Sequence, residues 1–154
     1  MKKQYKILIL ILIISLFIIG IIGYINIFNQ QNQIQIGGQN FKLPNGYYEG
    51  SLNDAGDVNL TNGYNTIFIA CYNGNNTNQY VEKTKSFVES QNYTPIITNF
   101  TFKNIPVDKL TLENNTQYSH YWFQKDNKIF DIYTWDGNNN MDKMVSNLIE
   151  SITN

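Results

Sequence analysis

The chain has 154 residues, a formal net charge of −1, eleven lysines and no arginine. Without the three lysines that precede its first apolar run, twelve acids face eight lysines. An acidic body without arginine lacks the phosphate-neutralising charge on which nucleic-acid affinity rests, so no nucleic-acid partner is expected. Cys71 is the lone cysteine, which rules out an intrachain disulfide. A domain of the remaining length buries enough apolar surface to fold without one.

In chain order, Lys2, Lys3 and Lys6 form a cytoplasmic tail, 1–6. The uncharged Ile/Leu/Phe stretch 7–25 follows. As a helix it would span roughly 28 Å, close to the thickness of a bilayer's hydrocarbon core. A cleaved signal peptide is the rival reading, but its apolar region is shorter, at about 7–15 residues, so the length favours an uncleaved transmembrane signal-anchor. The next lysine after Ile25 is Lys42. Positive residues stay in the cytoplasm, so the N-terminus is expected inside and the rest of the chain outside the cell membrane. The polar, Asn/Gln-rich stretch 26–40 reads as a flexible linker, leaving one extracytoplasmic domain at 41–154.

Within that domain, Phe41-Lys42-Leu43 reads as a strand ended by Pro44-Asn45-Gly46. Residues 58–60 and 64–72 read as a hairpin around Asn62-Gly63. A helix is predicted over 77–91, capped by Thr77 or Asn78, with Tyr80, Thr84, Phe87, Val88 and Gln91 on its apolar face. Strands at 94–103 and 107–113 follow, then a hairpin of 118–125 and 128–135 around Asp126-Asn127. Met141, Met144, Val145, Leu148, Ile149 and Ile152 recur at helical spacing and predict an amphipathic C-terminal helix. The fold class is α+β: an antiparallel sheet of about five to seven strands carrying two packed helices.

A resemblance supports that class. The run Phe41-Lys42-Leu43-Pro44-Asn45-Gly46-Tyr47, the strand–helix–strand middle, and the hairpin His120-Tyr121-Trp122-Phe123 with Ile129-Phe130-Asp131-Ile132-Tyr133 carry it, together with Leu148-Ile149-Glu150-Ser151-Ile152 in the final helix. This order resembles membrane-anchored extracytoplasmic domains of the PsbP-like fold, and is similar to uncharacterised surface proteins of methanogenic archaea. The resemblance implies an accessory or binding role, with no single reaction and no transferable functional residue.

The 118–135 hairpin holds the candidate site. A two-residue loop sets Trp122 opposite Asp131 and His120 opposite Tyr133, putting Tyr118, His120, Trp122, Asp131, Tyr133 and Trp135 on one face. Rings mixed with one imidazole and one carboxylate suit a ligand with apolar and hydroxyl surfaces, such as a sugar. Ligand contact is expected through Trp122, Tyr133 and Trp135, with His120 and Asp131 fixing orientation. The competing expectation is that a helix covers this face and its polar groups satisfy each other.

Other candidates are weaker. Residues 136–142 resemble the start of a calcium loop, but Met141 stands where glycine is required and Asn147 where the bidentate glutamate belongs, so no metal site is expected. Glu49, Asp54 and Asp57 read as a solvated acidic loop. Cys71 reads as inert strand core, away from His120. No cofactor spacing occurs. Asn59, Asn75, Asn92, Asn99 and Asn114 each begin a glycosylation sequon. The expected function is a membrane-anchored binding or accessory domain, its partner an envelope glycan or a membrane protein. The alternatives are a hydrolase of cell-envelope polymers acting through Asp131 or Glu49, or a structural surface component bearing glycans.

Overall fold

The computed structural model describes residues 13–23, 32–135 and 140–153. The chain divides into two compact units, Met1–Gln33 and Ile34–Asn154. In the first, residues 13–23 are helical (α1) and expose apolar side chains, among them Ile13, Leu16, Phe17 and Ile22. Among the described residues no helix is long and apolar enough to cross a membrane. The transmembrane segment expected at 7–25 extends at both ends beyond the described residues.

The second unit is α+β. It opens with a two-stranded hairpin, β1 (Gln33–Ile36) and β2 (Gln39–Lys42). Of the flexible linker expected at 26–40, this hairpin corrects residues 33–40, and residues 26–31 lie outside the described residues. Gln33-Ile34-Gln35-Ile36 alternates with period two, and Ile34 and Ile36 are buried. Gly37 and Gly38 turn the chain at φ +58° and +85°, and a Cβ on Gly37 would collide with the Cys71 sulfur. The glutamines and asparagines around the two isoleucines hide this strand signal.

Next come β3 (Tyr48–Glu49), β4 (Val58–Thr61), β5 (Thr66–Asn73), α2 (Asn78–Ser90), β6 (Pro95–Phe102), β7 (Ile105–Leu112), β8 (Asn115–Lys125), β9 (Lys128–Thr134) and α3 (Met141–Ser151). The strands form one seven-stranded antiparallel sheet in the order β3-β4-β5-β9-β8-β7-β6. Asp126 and Asn127 take φ of +49° and +58°, which closes β8 onto β9 through a two-residue loop. That loop fixes the register Lys125–Lys128, Trp122–Asp131 and His120–Tyr133.

The two sheet faces are covered differently. Ile67, Ile69, Tyr121, Phe123, Phe130 and Ile132 point to one face. There α3 packs through Met141, Val145, Leu148, Ile149 and Ile152, and the β1–β2 hairpin adds Ile34, Ile36 and Phe41. The Ser151 hydroxyl accepts from the Lys42 amide at 3.0 Å, which ties α3 to β2.

On the opposite face α2 packs through Val81 and Val88 over Leu110, Leu112, Trp122 and Ile129. This corrects the apolar face expected for α2, since Phe87 is 61% exposed and Gln91 also lies exposed. The Val81–Val88 line seats the helix on the β7–β8 side of the sheet and turns Phe87 outward. Thr77 stands at the N-cap as expected, where its carbonyl accepts from the Tyr80 and Val81 amides, but its side chain is used elsewhere. Its hydroxyl donates to Asp108 Oδ2 at 2.5 Å and makes no cap hydrogen bond.

Candidate functional site

Because β9 pairs with both β5 and β8, residues of these three strands meet on the α2 face. Trp122, His120, Tyr133 and Phe68 form a continuous stack across them. Successive ring centroids are 5.0, 4.8 and 5.0 Å apart, with interplanar angles of 15°, 7° and 18°. Trp135 leans on the outer end, 5.1 Å from Phe68 and 5.9 Å from Tyr133. The stack runs from a fully buried ring, Trp122, to an exposed one, Trp135.

Asp131 lies beside the stack. His120 Nδ1 is 3.0 and 2.9 Å from its two carboxylate oxygens. Trp122 stands opposite Asp131 on the neighbouring strand. Burial pushes the Asp131 carboxyl above its ordinary range, against the opposing influence of His120. Nδ1 is the ring nitrogen engaged with the carboxylate, which leaves Nε2 as the second polar atom of the ring. Among the described residues Nε2 has no protein partner.

A loop at 53–57 closes the far side. The Asn53 side-chain Oδ1 accepts from the amides of Ala55 at 3.0 Å and Asp57 at 2.8 Å, which folds the loop as an Asx turn. Asn53 Nδ2 then donates to the Tyr133 oxygen at 2.9 Å, and the Tyr133 hydroxyl donates to Asp57 Oδ2 at 2.7 Å. Sequence reasoning missed this tether. It joins residues 76 positions apart, and no local pattern marks it.

Between the stack, α2 and this loop lies a cavity of about 530 Å³. Trp122, His120, Asp131, Tyr133 and Trp135 all line it, and α2 contributes Tyr80, Lys83, Thr84 and Phe87. Tyr72 stacks on Tyr80 at 4.6 Å. Burial, followed by the Asp131 charge, pushes the Tyr72 and Tyr118 hydroxyls up to about 12, so both stay protonated in ordinary conditions. A second hollow of about 170 Å³ shares Phe87, Tyr118 and Trp135 with the first. Helix α2 therefore covers the Trp122 end of the face and leaves the Trp135 end open. The helix expected over this face is thus present at one end of it only.

The remaining candidates separate. Glu49 is exposed on the edge strand β3 and does not line the cavity, so it is not brought together with Asp131. Asp54 is exposed, while Asp57 reaches the cavity. Cys71 pairs with Phe130 on the α3 face, opposite His120, so a Cys–His couple is excluded. Its thiol is half-buried rather than core, beneath Gly37, and burial raises its pKa against the lowering influence of Lys128. The Asn59 side chain is occupied, donating to the Ser51 carbonyl at 2.5 Å, whereas Asn75, Asn92, Asn99 and Asn114 are exposed. Among the described residues no three His, Cys, Asp or Glu side chains cluster as metal ligands, and residues 136–139 of the calcium-like run lie outside them.

No family model matches the chain, and no curated protein matches it. Among solved structures it is similar to cyanobacterial PsbP (CyanoP) from Synechocystis sp. PCC 6803, at 10% identity and a TM-score of 0.50. The match covers 77% of this chain and 89% of that one. At that identity the likeness bears on the backbone arrangement alone: the chain has a PsbP-like α+β fold.

Proposed function

We propose that this protein is a binding or accessory domain held at the outer face of the cell membrane by its N-terminal helix, and that its ligand enters the cavity beside Trp135. The observation that carries the reading is the cavity of about 530 Å³, within the roughly 300–1,000 Å³ range of small-molecule sites, where aromatic walls surround a few convergent polar groups. Trp135 and Tyr133 supply ligand contact. Trp122 is buried and acts by holding His120 and Asp131 in place. The ligand class is an envelope glycan or a group presented by a membrane-protein partner.

The anchor rests on a helix that is apolar all round and on the lysines that precede it. Protease added to intact cells should remove residues 34–154 and spare the N-terminus, while full protection of the C-terminus would overturn the topology. For the cavity, the full chain is tested with the apolar dye 8-anilinonaphthalene-1-sulfonate and a panel of soluble envelope glycans. Loss of probe binding in Trp135→Ala, at unchanged melting temperature, is the expected result. Equal binding by the variant would place the site elsewhere.

A further inference from the structure

We propose that the ligand is a linear, uncharged oligosaccharide of at least two rings, seated across Trp135 so that it fills both hollows. The proposal deepens the reading of the cavity as a ligand site and rests on it.

The shape argues for an elongated ligand. The hollows of about 530 and 170 Å³ share the walls Phe87, Tyr118 and Trp135. The smaller falls below the roughly 300 Å³ at which independent small-molecule sites begin, so it acts as an extension of the larger. Two of the shared walls are large rings left in water, Phe87 at 61% and Trp135 at 58% exposure. A ligand crossing from one hollow to the other covers both. Sugar rings present apolar C–H surface to such rings along with hydroxyl edges.

The polar groups argue for hydroxyls. His120 is 8% exposed and lines the cavity, and among the described residues its Nε2 has no protein partner. Neutral imidazole accepts there and imidazolium donates. A hydroxyl serves both states, whereas an ammonium or a carboxylate serves one. The Tyr72 and Tyr118 hydroxyls, held protonated, add neutral donors and acceptors.

The charges argue against an ionic ligand. Asp131 is held by His120, and Asp57 Oδ2 accepts from Asn53 and Tyr133, so both carboxylates are already engaged within the protein. Lys83 is the single lysine on a wall that also carries these two acids, so neither sign of charge dominates it.

The test is calorimetric titration of the full chain in nanodiscs with β-1,4-linked glucose and N-acetylglucosamine oligomers of one to four units. For one series, affinity should rise about tenfold or more between monomer and trimer, the scale expected when one further ring stacks on an aromatic wall. Trp135→Ala should abolish that rise while leaving the melting temperature unchanged. Equal affinity for monomer and trimer would overturn the two-hollow seat and leave the ligand site standing. Dye binding that depends on Trp135, with no saccharide bound, would overturn the saccharide class alone. No binding of any probe would overturn both readings.

Discussion

The two faces of the sheet are made by the same alternating strands, yet one is sealed and the other half-open. On the sealed face α3 buries Met141, Val145, Leu148 and Ile149, and the β1–β2 hairpin fills the remaining width. On the other, α2 buries Val81 and Val88 alone. The difference begins in helix composition. The apolar stripe of α3 is wide enough to span the central strands, whereas that of α2 is narrow and seats the helix over one side. Sheet surface left without cover must tolerate water, and here Tyr, His, Asp and Trp join Phe68 in place of an aliphatic core. The candidate site exists because one helix falls short.

The largest expected effect comes from the covered end of the open face. Trp122 is 1% exposed, so Trp122→Ala should cost roughly 3–5 kcal/mol in chemical denaturation. On the sealed face Leu148 is fully buried, and Leu148→Ala should cost roughly 2–5 kcal/mol by the same measurement. If Trp122→Ala were as mild as a surface change, α2 would not be docked and the contrast between the faces would fail.

Each face also holds a carboxylate, and the two respond to pH in opposite senses. Burial raises Asp131, so the native state keeps a proton that the unfolded chain releases above its ordinary value of 3.8. Its contribution is full below that value and is lost as pH rises through the raised pKa. Burial also acts to raise Asp142, but hydrogen bonds from Lys109 and Tyr121, at 2.6 Å each, lower it on balance. Its contribution is present above 3.8 and is lost as pH falls through the lowered pKa. Urea midpoints measured from about pH 3 to 8 should therefore lose an alkaline-side decline in Asp131→Asn and an acid-side decline in Asp142→Asn. The Asp142 effect should be the smaller, about 1 kcal/mol or less, because its side chain is 67% exposed. A pH profile unchanged by either substitution would contradict these assignments.

Legibility followed the range of the interactions. The β8–β9 register was readable because Asp126-Asn127 separates two alternating runs, and α3 was readable because its stripe repeats over three turns. Both signals are local. The β1–β2 hairpin was hidden because two isoleucines among glutamines look like linker until they meet Phe41 and the sheet. The apolar face of α2 was misread because Tyr80, Phe87 and Val88 fit a helical stripe as well as Val81 and Val88 do, and the sheet beneath decides between them. The residues of the site could be named from the hairpin alone. Whether the face was open could not, since that depends on where α2 sits and on the Asn53–Asp57–Tyr133 tether.

The smallest predicted effect is Trp135→Ala, which should change stability by about 0.5 kcal/mol or less, since the ring is 58% exposed. That mildness makes Trp135 the right reporter for the central claim, that the α2 face is closed at Trp122 and open to ligand at Trp135. The most direct measurement is hydrogen exchange at the two indole N–H groups of the full chain, with and without bound probe. The account predicts that Trp122, at 1% exposure, is protected throughout, while Trp135 exchanges freely and becomes protected when the probe binds. Protection of both indoles in the free protein, or a Trp135 indifferent to every bound probe, would contradict it.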